Sequence, residues 1–357
     1  MDLFSPLTAG DLELRNRVVM APLTRMRSGA DGVPSEIVAE HYAQRAGLGL
    51  IVTEGTYPSA ESRAYWGQPG IVTDEQAAGW RNVADAVHAE GGRIVMQVMN
   101  AGRVTHSDIT QTSRIVAPSA IAIEGDVHTP HGKQSFQAPH ALTTEELGDV
   151  RDEFVAASKR AIDAGLDGVE VHGANGYLLH QFLSPASNQR TDAYGGSPDA
   201  RAKFVIEVTT AVAEAVGPGR VGIRLSPAHN IQDALETDAD DVRATYAAVV
   251  DGLAPLGLAY LSVLHAEPAG ELVQELRARF GGVFIANSGF GTSTTRDEAL
   301  DLVASGTADA VAVGRSAIAN PDLVTRWEGD HPENEPNPDT FYAGGAAGYT
   351  DYPRLTA

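Results

Sequence analysis

Short apolar runs alternate with longer amphipathic stretches from one end of the chain to the other. The short runs predict eight buried strands: Val18–Ala21, Leu50–Glu54, Ile94–Met99, Gly168–Val171, Val221–Leu225, Tyr260–Leu264, Val283–Ala286 and Ala310–Val313. The stretches between them repeat apolar residues at helical spacing and predict helices over Gln76–Ala89, Thr144–Ala164, Pro198–Val216, Asp240–Ala254 and Thr294–Ala304. Strands separated by helices in this number favour a closed parallel (βα)8 barrel, the TIM barrel, over an open sheet.

Two segments depart from the alternation. Residues 102–142 follow the third predicted strand and are rich in Ser, Thr, Pro, Gly and His. A connection of that length is usually functional or disordered, so we expect it to form a lid over the mouth of the barrel. Residues 330–357 are irregular and carry several aromatic side chains, and we expect this tail to pack back on the barrel. No break in composition calls for a second domain, so a single domain over residues 1–357 is expected.

The charge of the chain limits its partners. Its 357 residues carry a formal net charge of -21, which argues against nucleic acid or an anionic membrane surface as a partner. The absence of cysteine excludes disulfides, thiolate metal sites and cysteine nucleophiles. No apolar run is long enough to span a bilayer, and the first residues show no signal peptide. We therefore expect a cytoplasmic protein without a membrane or nucleic-acid partner.

Polar side chains gather where the fourth predicted strand ends. His172, Asn175 and Tyr177 follow one another within a short segment. The imidazole and the carboxamide can both donate hydrogen bonds to one oxygen, and the phenol can give up a proton. This combination suits reduction of a carbon–carbon double bond conjugated to a carbonyl group.

The last two predicted strands end in candidate phosphate-binding pairs. Ser288-Gly289 follows the seventh strand, and Gly314-Arg315 follows the eighth. A phosphate held by glycine N–H groups and a helix start near these two strands recurs in the TIM barrel. A glycine after a strand is also common in plain tight turns, so each pair alone leaves that alternative open.

At this point the chain resembles the old yellow enzyme family of flavin-dependent ene-reductases, and above all its bacterial branch of N-ethylmaleimide and pentaerythritol tetranitrate reductases. The resemblance runs from Leu3 to Pro353, and its most specific blocks are residues 16–25, 169–185, 188–197, 314–315 and 319–323. It implies FMN bound without a covalent link, and NADPH or NADH as the reductant. It also implies these residues around FMN: Pro22, Leu23, Thr24, Gly55, Gln97, Arg224, Ser288, Gly289, Gly314 and Arg315.

The resemblance further implies roles around the substrate. His172 and Asn175 bind the carbonyl oxygen of the substrate, and Tyr177 protonates the alkene carbon. Tyr65 and Tyr342 form walls of the pocket. The chain departs from its relatives at Met99 and Asn100, where tryptophan and histidine are common, so the pocket over the substrate should be wider.

The expected function is therefore reduction of enones, enals, maleimides and nitroalkenes by a ping-pong mechanism, in a monomer or homodimer. Two alternatives stay open. One is another FMN barrel that oxidises α-hydroxy acids or dihydropyrimidines, and the other is a flavin- or phosphate-binding barrel without turnover. Tyr177 beside a pair of donors argues against both.

Two other patterns carry less weight. Residues 217–222 match a dinucleotide fingerprint, but they precede a predicted strand, whereas that motif must follow one. Four histidines of the predicted lid, His106, His128, His131 and His140, lack metal-ligand spacing, and we expect them to be solvated.

Overall fold

The computed structural model describes residues 1–342 and 344–355, in which eight parallel strands close into a barrel. Barrel strands 1 to 8 are Val18–Met20, Leu50–Val52, Ile94–Val98, Gly168–Gly173, Val221–Leu225, Tyr260–Leu264, Phe284–Asn287 and Ala310–Val313. Strand 8 pairs with strand 1, which closes the barrel. The predicted barrel is confirmed, and every predicted strand overlaps an observed one, with ends that differ by at most two residues.

Helices surround the barrel. They are Glu36–Ala43, Asp74–Ala89, Ser107–Thr110, Thr144–Asp163, Leu178–Leu183, Pro198–Val216, Ala239–Leu253, Glu271–Phe280, Arg296–Ala304, Arg315–Ala319 and Leu323–Glu328. Short 3-10 turns occupy Ala60–Ser62, Pro218–Arg220, Ala254–Leu256 and Pro338–Thr340. The five predicted helices are present, whereas Glu36–Ala43, Glu271–Phe280 and the shorter ones were not predicted. Within the described residues, no helix has the length and hydrophobicity needed to cross a membrane.

Side chains alternate along each barrel strand between the interior and the helices. On strand 3, for example, Val95 belongs to the interior apolar cluster, whereas Ile94 and Met96 belong to the cluster against the helices. A hairpin of Leu7–Ala9 and Leu12–Leu14 packs on the interior cluster and covers the end of the barrel where the strands begin. The hairpin therefore closes the apolar interior at that end, and the opposite mouth is where TIM barrels place their sites.

The insertion at residues 102–142 has structure of its own. It contains the helix Ser107–Thr110, the strand pair Val116–Ala117 and His140–Ala141, and the hairpin Asp126–Thr129 with Gly132–Ser135. Its Thr105 hydroxyl donates to the Arg63 carbonyl at 2.6 Å, and its Arg103 donates to the Gln232 carbonyl at 3.2 Å. These bonds join it to the loops after strands 2 and 5. That it opens and closes as a lid stays a prediction.

The C-terminal tail packs back on the barrel, as expected, although Ala343, Thr356 and Ala357 of the predicted tail lie outside the described residues. Tyr349 is its anchor. Its ring stacks on His41 with centroids 3.8 Å apart, and its carbonyl lies 2.8 Å from His41 Nδ1. The guanidinium groups of Arg25 and Arg27 lie 4.9 and 4.3 Å from the ring centroid. The tail is thus held by a fully buried aromatic ring and two cations.

We expect Tyr349→Ala to lower the free energy of unfolding by roughly 3–5 kcal/mol, because it leaves a cavity and removes the ring contacts. Urea denaturation followed by fluorescence measures this. The matched control is Tyr342→Ala in the same tail, where the side chain is 58% exposed and the change should stay within about 0.5 kcal/mol. Similar losses in the two variants would contradict the anchoring role of Tyr349.

Candidate active site

The carboxyl ends of the barrel strands bring the predicted polar residues to one mouth. His172 on strand 4 lies level with Arg224 on strand 5, and Arg224 lies level with Ser262 on strand 6. One expectation needs correction here. Strand 4 continues to Gly173, so His172 is a residue of the strand and points into the barrel, instead of following its end. The strand therefore fixes this imidazole more rigidly than a loop would.

Tyr177 and Tyr65 come together at this mouth although they lie far apart in the sequence. Their hydroxyl oxygens are 2.7 Å apart. Burial, followed by the neighbouring Tyr65, raises the pKa of Tyr177 well above its usual value. Met99 packs in the same apolar cluster as Tyr177, with Tyr65 against it. Tyr342 is close enough to act electrostatically on both phenols. The structure thus groups all of the predicted pocket-wall residues around Tyr177.

His172 carries a polar atom with no partner in the described part of the chain. Its side chain is buried, and Nδ1 accepts and donates no hydrogen bond there. The ring centroid is 5.3 Å from that of Tyr177. Burial, then Arg224 and His180, hold the pKa of His172 well below its usual value, so the imidazole is neutral at neutral pH. A neutral imidazole with a free nitrogen can bind a ligand oxygen without adding a charge.

Asn175 lies in a turn that few residues tolerate. Its φ is 58°, in the left-handed region, where asparagine is among the favoured non-glycine residues. Its backbone N–H donates to Ser226 Oγ at 2.8 Å, and its carbonyl accepts from Gln232 at 3.1 Å. The buried side-chain Oδ1 has no partner among the described residues. The backbone is thus held by the loop after strand 5, which leaves the carboxamide available for a ligand.

Gln97 and Arg224 belong to a buried polar layer below the mouth. The Gln97 amide nitrogen donates to Glu170 Oε1 at 2.8 Å, so its amide oxygen is the atom left for another partner. Arg224 donates to Ser262 Oγ at 3.1 Å and to Asn287 Oδ1 at 2.9 Å, while its Nε has no partner within the described chain. Burial lowers the pKa of Arg224, but a guanidinium remains protonated at neutral pH.

The loop after strand 1 is held by a carboxylate that follows strand 2. Glu54 Oε2 accepts the backbone N–H groups of Arg25 and Met26 at 2.9 and 3.1 Å, which fixes the half-buried segment that contains Pro22, Leu23 and Thr24. These three residues follow strand 1 at the carboxyl end of the barrel, and Leu23 lies near Gly314 after strand 8.

Gly55 follows Glu54 and lies against Met99. A Cβ atom at Gly55 would be 2.6 Å from the Met99 sulfur, so a side chain at this position would collide with the pocket wall. Glycine at this position lets the flexible Met99 side chain lie against the backbone.

The two predicted phosphate-binding pairs lie side by side. Arg315 donates to the carbonyl of Phe290, one residue after Gly289, at 3.1 Å. Gly289 has a φ of 110° that favours glycine, and Gly314 precedes the short helix Arg315–Ala319. Ser288 Oγ bonds to Thr294 at 2.8 Å. The loops after strands 7 and 8 thus form one basic, glycine-containing edge of the mouth, opposite in character to the phenol pair.

Taken together, these residues fit a flat, polar, anionic group such as FMN. Among the predicted site residues, three buried polar atoms lack partners within the described part of the chain: His172 Nδ1, Asn175 Oδ1 and Arg224 Nε. An unsatisfied buried polar group costs about 1–3 kcal/mol, so a ligand that pairs with such atoms is favoured. A group of His, Asp or Glu residues able to hold a metal ion does not occur in residues 1–342 and 344–355.

Residues 2–334 match the model of the NADH:flavin oxidoreductase / NADH oxidase family. The chain belongs to this family. The resemblance to the old yellow enzymes that the sequence motifs indicate is thereby confirmed, and this flavin oxidoreductase uses FMN with NADPH or NADH.

Individual relatives cover nearly the whole flavin oxidoreductase. A probable flavin mononucleotide-dependent alkene reductase of Leishmania infantum is 43% identical over 360 residues, which are 98% of this chain and 97% of that protein. The structure of morphinone reductase in complex with tetrahydroNAD is 44% identical, with a TM-score of 0.92, and covers 100% and 98% of the two chains. The old yellow enzyme homologue from Zymomonas mobilis has a TM-score of 0.94 at 36% identity, over 99% and 100% of the two chains.

The sequence analysis did not identify some of the residues of this site. Glu170, Tyr260 and Ser226 were not predicted, although a polar residue at an inward position of a buried strand was a visible signal for Glu170. One expectation about the insertion was wrong as well. His128, His131 and His140 are exposed as expected, but His106 is buried and its Nδ1 accepts the Asp108 N–H at 3.1 Å, which caps the helix Ser107–Thr110.

We expect Asn175→Ala to be less stable than Asn175→Gly by roughly 1 kcal/mol, because only glycine relieves the left-handed strain when the carboxamide is removed. Thermal or urea unfolding of the two variants measures the difference. The usual ranking in a helix or strand is the reverse, with alanine the more stable. Equal stability, or a more stable alanine variant, would show that this turn does not constrain the protein.

Proposed function

We propose that this flavin oxidoreductase is an ene-reductase, which reduces the double bond of α,β-unsaturated carbonyl compounds, maleimides and nitroalkenes with NADPH or NADH in a ping-pong cycle. The observation that carries the proposal is a buried phenol, Tyr177, whose ring centroid lies 5.3 Å from that of His172, a buried imidazole with an unpartnered nitrogen. Asn175, two residues before Tyr177, adds a carboxamide whose N–H group can donate to the same ligand oxygen. The alkene-reductase and morphinone-reductase relatives support it. The expected cytoplasmic location and monomeric or homodimeric state stay predictions.

The ten residues that the resemblance assigns to FMN form two groups in this proposal. Thr24, Pro22, Leu23, Gly55 and Gln97 bind the ring system from strands 1 to 3, together with Arg224 from strand 5. The phosphate is held by Ser288, Gly289, Gly314 and Arg315. The support for this division is the position of the second group at one basic edge of the mouth. Local arginines are needed because the net charge of -21 repels an anionic cofactor at long range.

When bound, FMN supplies the hydride that adds to the carbon β to the carbonyl group. As that bond forms, negative charge develops on the carbonyl oxygen. His172 and Asn175 donate hydrogen bonds to this oxygen, and donors already in place stabilise such charge by roughly 3 kcal/mol each. Because the imidazole is neutral, its hydrogen bond stabilises the developing charge without the substrate having to displace a counter-ion.

Tyr177 then protonates the α carbon, and the oxygen charge collapses back to a carbonyl group. The phenol takes its proton again from Tyr65 or from solvent, since the two hydroxyl groups are in hydrogen-bond contact. Burial keeps Tyr177 protonated at neutral and mildly alkaline pH, because its pKa lies above the usual value of about 10. The pocket walls at Tyr65, Met99 and Tyr342 select which alkenes reach this acid.

The deciding experiment follows the colour of the purified, FMN-reconstituted protein under anaerobic conditions. It should be yellow, bleach with NADPH or NADH, and recover its absorbance when cyclohexenone is added. Bleaching without recovery on cyclohexenone, N-ethylmaleimide or a nitroalkene would instead favour another flavin barrel or a binding protein. Protein that takes up no FMN would defeat the proposal altogether.

We expect Tyr177→Phe to slow the alkene half-reaction by roughly 100-fold or more, the usual contribution of a general acid, and to leave bleaching by NAD(P)H unchanged. Stopped-flow absorbance measures each half-reaction separately. In the wild type, the alkene step should show no loss of rate from this group up to about pH 10, because its pKa is raised.

The matched control for Tyr177→Phe is Tyr65→Phe, which removes the neighbouring hydroxyl and leaves the acid in place. Its loss in the alkene half-reaction should be less than about tenfold, well below the general-acid contribution. Equal losses in both half-reactions of Tyr177→Phe would contradict its role as the proton donor.

A further inference from the structure

A buried carboxylate lies directly below the proposed flavin site. Glu170 is on strand 4, one inward position deeper than His172, and is 1% exposed. Its Oε1 accepts from the Gln97 amide at 2.8 Å, and its Oε2 accepts from the Tyr260 hydroxyl at 3.1 Å. The reaction described above gives this group no part in binding the substrate or in moving a proton.

The barrel is built so that Tyr260 reaches Glu170. In register, Glu170 on strand 4 lies level with Gly222 on strand 5, and Gly222 lies level with Tyr260 on strand 6. A Cβ atom at Gly222 would overlap the Tyr260 ring, so the ring crosses strand 5 over a residue without a side chain. The hydrogen bond between Tyr260 and Glu170 therefore depends on glycine at this one position.

Burial opposes a negative charge on Glu170, and its polar neighbours act against that effect. Burial raises the pKa of Glu170, whereas Arg224, Gln97 and Tyr260 act in the opposite direction. Both carboxylate oxygens accept a hydrogen bond from a donor that is not charged. A buried carboxylate with donors on both oxygens and a nearby guanidinium is the arrangement in which such a charge persists.

We propose that Glu170 is a positioning and charge-setting residue of the flavin site: it fixes the amide of Gln97 and holds down the reduction potential of the bound FMN. The inference rests on the proposed function, since it needs FMN at Gln97 and Arg224. By holding the Gln97 nitrogen, Glu170 turns the amide oxygen toward the site, where it suits an N–H donor such as the one on the flavin pyrimidine edge.

The direction of the effect of Glu170 on the FMN reduction potential follows from its negative charge. Reduction adds negative charge to the flavin, which the guanidinium of Arg224 favours and the carboxylate of Glu170 opposes. With Glu170 in place, the cation beneath the site is partly compensated, so the bound FMN remains a strong enough reductant to pass electrons to an activated alkene. Binding of FMN and its reduction potential are thus set by different residues. Arg224 binds the FMN, and Glu170 limits how far the positive charge of Arg224 favours the reduced form.

The test compares Glu170→Gln with Tyr260→Phe. Glu170→Gln keeps the volume and an oxygen that accepts from Gln97, but removes the charge. Tyr260→Phe disturbs the same buried cluster by removing the other donor, and leaves the carboxyl group in place. The midpoint potential of bound FMN is measured anaerobically against a reference dye, and the dissociation constant of oxidised FMN from each apoprotein is measured by fluorescence quenching.

We expect Glu170→Gln to favour reduction of the bound FMN by about tenfold in the equilibrium with the dye, a rise of about 30 mV for two electrons. The dye equilibrium of Tyr260→Phe should differ from that of the wild type by less than about threefold, which is about 15 mV in midpoint potential. An unchanged or lowered potential in Glu170→Gln would overturn the inference, as would an equal rise in Tyr260→Phe. Wild-type protein that binds no FMN would defeat the proposed function instead.

If Glu170→Gln does not fold, the double variant Glu170→Gln/Tyr260→Phe is used in its place. The double variant has no Tyr260 hydroxyl that would face the amide nitrogen of the new glutamine. The equilibrium with the dye should favour reduced FMN in the double variant by about tenfold more than in Tyr260→Phe alone. No rise over Tyr260→Phe would count against Glu170 as the source of the effect.

Discussion

The closed parallel barrel is the constraint on which every other feature depends. Because all eight strands run in one direction, their carboxyl ends meet at one mouth, and because side chains alternate, every second residue enters one interior. That interior is apolar where the N-terminal hairpin covers it and polar toward the mouth. The polar part can be buried only because its members bond one another, from Gln97 and Glu170 on one side to Arg224 and Asn287 on the other.

The chemistry at the mouth comes from loops that the barrel fixes at both ends. Glu54, two residues after strand 2, holds the loop after strand 1, and Ser226, directly after strand 5, holds the turn at Asn175. Each loop is thus held by a polar group from a neighbouring strand, so that reactive side chains need no partners of their own. The backbone of Asn175 is held in this way and that of His172 by strand 4, so both side chains keep unpartnered polar atoms.

Local positive charges in this protein offset its negative net charge at particular positions. A chain with a net charge of -21 repels an anionic cofactor at long range, so cations close to the proposed cofactor site are needed to offset this. Arg224 below the mouth and Arg315 at its edge serve the site, whereas Arg25 and Arg27 serve the tail that carries Tyr342. Glu170 acts in the opposite sense, because its buried carboxyl group interacts electrostatically with Arg224 and partly offsets the positive charge of that guanidinium.

The sequence by itself determined the barrel and the residues at its mouth, because apolar periodicity and the motif blocks are both local features of the chain. It also indicated that the tail packs back, from its aromatic content. Tertiary structure alone decided which groups meet. The contact of Tyr65 with Tyr177 and the bond from Tyr260 to Glu170 join residues that are distant in the chain. The burial of His106 and the extension of strand 4 through His172 depended equally on packing, since strand ends and exposure are set by neighbouring elements and not by local sequence.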